Sequence, residues 1–244
     1  MTRVQVKICG LTRPADADSV NGFRPDCIGL VFAPGRRTLG VRAAADIAGR
    51  LSPGIRKVGV FADGPLSMIA GCISACGLDV VQLHGGETPD DVHRLRMALS
   101  ASGFADVRIW KAFGIPSGGV RKETAERILE GIDRFSGRID AVVLDAAAPS
   151  EGQAGGNGLR PDWETAWRIR CGCRIPVVLA GGLDAGNVTD AIRKVGPYAV
   201  DVSSGVETDG IKDPDKMASF VTIARGVPDS GGREVYRMEE KKHG

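Results

Sequence analysis

Eight short apolar segments recur along the chain at a mean interval of roughly 28 residues, the spacing of repeated strand–helix units. Each segment is almost continuously apolar and rich in β-branched side chains, rather than alternating between apolar and polar positions. Such runs are typical of parallel strands that are covered on both faces. The eight predicted strands are Val4–Ile8, Cys27–Phe32, Arg56–Phe61, Val80–Leu83, Arg108–Ala112, Ala141–Leu144, Pro176–Ala180 and Ala199–Val202.

Segments with helical spacing lie between these strands. One of them places Ile128, Leu129 and Ile132 on the same side of a helix. Near the N-terminus, Thr12 is of the residue type that caps a first helix. The predicted helices are Val41–Leu51, a segment that begins at Thr88-Pro89, Lys122–Phe135, Asp162–Ile169, Asn187–Val195 and Pro214–Ala224.

A strand followed by a helix, eight times over, predicts an α/β protein with a single (β/α)₈ TIM barrel over residues 1–226. An open, doubly wound sheet is the alternative, but it usually begins with a glycine-rich fingerprint. No GxGxxG follows the first strand here, which favours the barrel. From Val227 onward the chain is polar and glycine-rich, so residues 227–244 are predicted to form a flexible tail.

The formal net charge of +2 gives no general electrostatic reason to bind nucleic acid or an anionic membrane. No apolar run reaches the ~18 residues that a membrane span requires. The chain has six cysteines, and no signal-peptide pattern precedes them, so we expect reduced thiols in a cytoplasmic protein. Two close cysteine pairs lack a nearby histidine, so no metal site is predicted.

Barrel active sites gather at the carboxyl ends of the strands, and that rule nominates an anion site near the C-terminus. Gly181 and Gly182 follow the seventh strand, and Ser203, Ser204 and Gly205 follow the eighth. Small residues let backbone amides approach a phosphate closely, although tight strand–helix turns are the alternative explanation. A further glycine-rich segment, Gly152–Gly158, is expected to be a mobile loop that brings Gly156 to the substrate.

Two strand ends carry candidate acid–base groups. Cys9 ends the first strand, and Lys7 shares its face, so a cation is available to stabilise a thiolate. Asp145 follows a buried apolar strand, where a partly desolvated carboxyl is suited to donate a proton. The alternatives are a small core cysteine and a capping aspartate.

The loop after the second strand contains Arg36 and Arg37, either of which is able to clamp a carboxylate or phosphate. A solvated basic turn is the other interpretation of this pair. His84 ends the fourth strand and is a candidate for orienting a substrate, although one histidine at a strand end is weak evidence for acid–base chemistry.

With these residues in place, the sequence resembles the phosphoribosylanthranilate isomerases of tryptophan biosynthesis over about residues 4 to 225. KICG near the N-terminus together with a late DVSSGVE is the most specific combination. The motifs that carry the resemblance are KICGL at Lys7–Leu11, GLVFAPGRR at Gly29–Arg37, VGVFAD at Val58–Asp63, VQLHG at Val81–Gly85, VVLDA at Val142–Ala146, GGNG at Gly155–Gly158, LAGGL at Leu179–Leu183 and DVSSGVE at Asp201–Glu207.

The resemblance implies an Amadori rearrangement of N-(5-phosphoribosyl)anthranilate to 1-(2-carboxyphenylamino)-1-deoxyribulose 5-phosphate. It implies that Asp145 is the general acid and Cys9 the general base, and that Arg37 holds the anthranilate carboxylate. His84, Gly156 and Asp201 are expected to contact the substrate. Because a Schiff base is itself an electron sink, neither a metal nor a cofactor is needed. The resemblance leaves a monomer or a homodimer open.

Three rival functions remain. A ribulose-phosphate epimerase would need metal-binding histidines at several strand ends, and this chain has three histidines in all. A tryptophan synthase α-subunit would use paired carboxylates and no cysteine base. The third is a catalytically idle phosphosugar-binding or scaffold protein, against which the coexistence of Cys9 and Asp145 at strand ends argues.

Overall fold

The eight predicted strands form a closed parallel barrel in which each strand pairs with its neighbours in sequence and the first pairs with the eighth. The computed structural model describes residues 3–116, 122–146 and 161–228. The (β/α)₈ prediction is therefore confirmed. The barrel strands are β1 Gln5–Cys9, β2 Cys27–Val31, β3 Arg56–Phe61, β4 Val80–Leu83, β5 Arg108–Ile115, β6 Ala141–Ala146, β7 Val177–Leu179 and β8 Ala199–Val202.

Eight helices in the described part of the chain surround the barrel, and their apolar sides pack on the outward face of the strands in one continuous core. The structure adds two helices that the spacing analysis does not delimit, α1 and α3. The helices are α1 Pro14–Phe23, α2 Val41–Gly49, α3 Leu66–Cys76, α4 Pro89–Ala101, α5 Lys122–Asp133, α6 Trp163–Gly172, α7 Val188–Val195 and α8 Pro214–Gly226. Of the predicted tail, residues 229–244 lie outside the described part of the chain.

A second, smaller cluster fills the inside of the barrel. Its members recur at every second position of the strands, as the pleat requires for side chains on one face. Trp110 is the largest of them. The members are Cys27, Val58, Val80, Trp110, Ala141, Val143, Val178, Ala180 and Ala199.

A short hairpin that the sequence analysis does not predict follows the eighth strand. A 3₁₀ turn at Ser204–Val206 leads into two antiparallel strands, β9 Glu207–Thr208 and β10 Ile211–Lys212. Asp209 adopts a positive φ of 51° at the tip, beside Gly210 at 78°. The hairpin lies at the carboxyl end of the barrel because it continues directly from β8.

The start of α1 corrects the expectation that Thr12 caps the first helix. The N-cap is Arg13, and Pro14 occupies the first helical position. The buried carboxylate of Asp16 accepts hydrogen bonds from the amides of Thr12 and Arg13, both at 2.9 Å. The third residue of the helix therefore binds the amides that lead into it, as the acidic residue of a capping box does, and no threonine hydroxyl caps the helix.

We predict that Asp16→Ala lowers the free energy of unfolding by about 1–3 kcal/mol, because it leaves two partly buried amide donors without an acceptor. Asp18→Ala is the matched control, since Asp18 lies on the same helix with a side chain that is 60% exposed. Its effect should stay within about 0.5 kcal/mol. Urea denaturation of both variants measures the difference, and equal effects would contradict the assigned role of Asp16.

Candidate active site

The polar residues of the barrel interior continue the inward-facing series of the strands toward their carboxyl ends. Asp145 lies two positions after Val143, and Asp201 lies two positions after Ala199. On the first strand, Lys7 is in register with Asp201 of β8. The alternation of the strands therefore brings these groups together above the apolar interior cluster.

Cys9 is the last residue of β1 and is in register with Gly29 on β2. A Cβ atom at Gly29 would lie 2.6 Å from the Cys9 sulfur, so only glycine leaves room for the thiol. Burial raises the pKa of the Cys9 thiol, and the nearby ammonium of Lys7 opposes that rise. The predicted stabilising cation is thus present, but the effect of burial is the larger of the two.

Lys7 and Asp201 form an ion pair inside the barrel, with 2.6 Å between Nζ and Oδ2 and almost no exposure of the ammonium. Burial alone would lower the pKa of Lys7, but the charges of Asp201 and Cys9 outweigh it and hold that pKa above its usual value. The second carboxylate oxygen of Asp201 is buried and has no hydrogen-bond partner among the described residues. An unpaired buried acceptor of this kind is suited to a ligand hydroxyl.

Asp145 is nearly buried at the end of β6, and its two oxygens have different partners. Oδ1 accepts a hydrogen bond from the Ala146 amide at 2.8 Å. Oδ2 lies 3.4 Å from Nε2 of His84, whose Nδ1 lies 3.1 Å from the amide nitrogen of Gln82. The structure therefore brings the predicted His84 directly against the predicted acid, Asp145.

The two arginines of the β2–α2 loop meet a partner that the sequence analysis does not predict, Glu207. Arg37 donates to this carboxylate from Nε at 2.7 Å and from Nη2 at 3.1 Å, and Arg36 pairs with it from the outer side. The Arg37 side chain is 11% exposed and that of Arg36 is 48% exposed. Arg37 is therefore the inner of the two cations, next to Gly10.

Lys212 is the second residue missing from the sequence prediction. Its ammonium, 1% exposed, lies 2.7 Å from Glu207 and donates to the Ser203 carbonyl at 2.8 Å. Burial lowers the pKa of Lys212, and Glu207 opposes that change. Glu207 lies in the DVSSGVE motif, so the sequence contains a signal that could have identified it. A buried lysine in a two-residue strand leaves no such signal in the sequence.

The two predicted phosphate loops lie against each other. A Cβ atom at Gly205 would lie 1.9 Å from the Leu183 carbonyl oxygen, so the chain after β8 passes directly over the chain after β7. Gly181 and Gly182 both have positive φ, 85° and 57°. Among the described residues, the amides of Gly182, Ser204 and Gly205 donate to no protein acceptor. Ser203 Oγ donates to the Cys9 carbonyl at 3.0 Å.

Two further strand ends serve the fold. Lys111 donates to the Gly85 carbonyl at 2.8 Å and lies 3.2 Å from Glu87, so it braces the loop after β4. Asp63 accepts from the Gly86 amide at 2.8 Å and steadies the same loop. Gly156, the remaining predicted substrate contact, lies outside the described residues.

Neither a metal centre nor a membrane segment is found in the described ranges. No three His, Cys, Asp or Glu side chains within them are grouped so as to hold a metal ion. None of the helices there is both long enough and apolar enough to cross a bilayer.

Comparison with known proteins places this arrangement in a family. The family model described as N-(5'phosphoribosyl)anthranilate (PRA) isomerase matches residues 6–223. N-(5'-phosphoribosyl)anthranilate isomerase of Acetivibrio thermocellus is 42% identical over 220 residues, which cover 90% of this chain and 95% of that protein.

Solved structures agree. The isomerase of the same name from Pyrococcus furiosus has a TM-score of 0.75 at 30% identity, covering 92% of this chain and all of that one (100%). A phosphoribosyl anthranilate isomerase in complex with reduced 1-(o-carboxyphenylamino)-1-deoxyribulose 5-phosphate has a TM-score of 0.71 at 32% identity, covering 91% and 99%. The family match over most of the length and the shared barrel lead to one conclusion: this chain belongs to the N-(5'-phosphoribosyl)anthranilate isomerase family.

Proposed function

We propose that this isomerase catalyses the Amadori rearrangement of N-(5-phosphoribosyl)anthranilate to 1-(2-carboxyphenylamino)-1-deoxyribulose 5-phosphate, a step of tryptophan biosynthesis. The observation that carries the proposal is the placement of a thiol and a carboxyl, Cys9 and Asp145, at inward-facing strand ends of one barrel. A related structure holds a reduced form of that product, which supports a ligand of this class.

The first step opens the sugar ring. Asp145 gives its proton to the ring oxygen while the bond between that oxygen and C1 breaks, and the nitrogen lone pair forms the C1=N bond of a protonated Schiff base. His84 at 3.4 Å and the Ala146 amide at 2.8 Å hold the carboxyl in place through the transfer. A positioned acid of this kind accelerates such a step by about 10²–10⁴.

The second step moves hydrogen from C2. The thiolate of Cys9 removes the C2 proton, and the electrons of that C–H bond form C1=C2 while the C=N π electrons return to nitrogen. The resulting enolamine then takes a proton at C1 and loses one from the C2 hydroxyl, which gives the ketone. Lys7 supports this step because its positive charge opposes the effect of burial on the pKa of the thiol.

The two anionic ends of the substrate have separate partners. The amides of Gly182, Ser204 and Gly205 are available to a phosphate group at adjoining loops, the usual phosphate position of this fold. The inner guanidinium, Arg37, is available to the anthranilate carboxylate. Asp201 has one free buried oxygen for a sugar hydroxyl.

We predict that Cys9→Ala and Asp145→Asn each lower turnover by at least ~10², because each removes one proton-transfer group. Loss of phosphoribosylanthranilate fluorescence measures turnover, and circular dichroism checks the fold. Cys171→Ala is the control, since Cys171 is exposed on α6. Activity that survives both active-site substitutions would refute the mechanism, and an inactive wild-type protein would refute the function.

A second prediction concerns pH. Removing the Lys7 charge leaves burial and the Asp201 carboxylate to raise the pKa of Cys9 further, so Lys7→Met should move the rising limb of the kcat/KM profile to higher pH. The rate of Cys9 alkylation by iodoacetamide, followed against pH by peptide mass spectrometry, reports the same shift. Lys122→Met, at a side chain that is 74% exposed, is the control. A profile that stays in place or moves to lower pH would contradict the role of Lys7.

A further inference from the structure

Glu207 is a buried carboxylate on which three cations converge. Its side chain is 5% exposed, and Arg36, Arg37 and Lys212 all contact it. Burial opposes its charge, but the hydrogen bonds from Arg37 and Lys212 prevail and lower its pKa to about 2. Glu207 therefore stays ionised at neutral pH, and two guanidinium groups and the Lys212 side chain surround it beside the candidate active site.

The pairing of Glu207 with Arg37 uses one particular edge of the guanidinium. Nε donates to Oε1 at 2.7 Å and Nη2 to Oε2 at 3.1 Å, so the planar group is held by two parallel hydrogen bonds. Within the described residues Nη1 donates to no protein acceptor. The edge formed by Nη1 and the remaining Nη2 hydrogen is thus left for a second carboxylate.

The backbone at Gly10 leaves room for the stem of Arg37 beside Cys9. A Cβ atom there would lie 2.3 Å from Cδ of Arg37, so the arginine stem crosses directly over the residue that follows Cys9. A methyl group at this position would push the stem away, and φ of 78° at Gly10 disfavours any side chain. Arg37 therefore lies next to the candidate base, in an orientation that its partner Glu207 determines.

The Glu207 carboxylate is also linked, through Lys212, to the loop after β8. Lys212 bonds both Glu207 and the carbonyl of Ser203, the first residue of that loop. Ser203 in turn donates to the carbonyl of Cys9. A continuous set of hydrogen bonds thus joins the guanidinium, the candidate phosphate loop and the backbone of the candidate base.

We propose that Glu207 is a positioning residue that holds Arg37 with its free edge toward the substrate, and so makes the enzyme selective for aminosugar phosphates that carry an aromatic carboxylate. This rests on the proposed function, in which Arg37 binds that carboxylate. A guanidinium without this partner keeps its charge but loses the fixed plane that two-point recognition needs.

The test compares two ligands that differ only in the carboxylate. They are reduced 1-(o-carboxyphenylamino)-1-deoxyribulose 5-phosphate and the same molecule with an unsubstituted phenyl ring, and calorimetry gives both dissociation constants. Wild-type protein should bind the first more tightly. Glu207→Gln should weaken the first by about tenfold or more and the second by less than about threefold, as for a lost charge-assisted contact.

Further variants separate positioning from general support of the fold. Glu207→Asp keeps the charge but is one methylene shorter, so it should lose the preference too, and it decides the matter if the glutamine variant does not fold. Arg37→Ala should abolish the preference, and adding Glu207→Gln to it should cost nothing more. Glu87→Gln is the control, because it removes an equally buried ion pair, with Lys111, that does not contact Arg37.

The outcomes distinguish failure of the positioning role of Glu207 from failure of the proposed function. Equal weakening of both ligands in Glu207→Gln, or an unchanged preference in both Glu207 variants, overturns the positioning role. In the kinetic assay the positioning role requires a raised KM with kcat nearly unchanged, since binding is affected before chemistry. A wild-type protein that binds neither ligand, or both equally, instead refutes the proposed function.

Discussion

The pairing of the first strand with the last is the constraint on which the rest of the structure depends. Parallel pairing of β1 with β8 closes the barrel and puts Lys7 in register with Asp201. That register brings an ammonium and a carboxylate within 2.6 Å of each other where both side chains are buried, and where an unpaired charge would be costly. A shift of one residue in either strand would turn that strand's charged group toward the helices and leave the other group without its partner.

Barrel closure also explains why the candidate site has the composition it does. The lower interior is filled by apolar side chains such as Trp110 and Val143, and the polar residues begin where those strands approach their carboxyl ends. Cys9 therefore lies at a boundary: buried enough for the pKa of its thiol to rise, and close enough to Lys7 for that rise to be opposed. The pKa of this candidate base therefore depends on the charge of a neighbouring residue, Lys7.

Much of the architecture is predictable from the sequence because strands that are buried on both faces are almost continuously apolar. Each near-continuous apolar run corresponds to a strand, with ends that differ by three residues at most, as at β5, which continues to Ile115. Strand-end position is enough to nominate Cys9, Asp145 and His84. The carboxyl emerges because packing does not explain it at the end of a buried run, and the thiol because a strand-end position argues against a small core cysteine.

The sequence does not predict the pairing of Glu207 with Lys212, and the reason is physical. Glu207 and Lys212 are brought together by a hairpin with two residues in each strand, too short to show any hydrophobic period. A lysine with 1% exposure also contradicts the usual preference of that side chain for solvent. Similarly, the carboxylate of Asp16 binds the amides that lead into α1 from within the helix, and a search for a capping residue before the helix overlooks it.

The bond between Ser203 and the carbonyl of Cys9 joins residues that are 194 positions apart, as does the ion pair of Lys7 with Asp201. Synthesis proceeds at about 5–20 residues per second, so the strand that carries the candidate base leaves the ribosome roughly 10–40 s before its last partner exists. During that interval the open edge of the sheet and a free thiol are both accessible to other chains and to oxidants. A truncated product that lacks β8 also lacks Asp201 and the candidate phosphate loop after that strand, so the candidate site is complete only when the ring of strands closes.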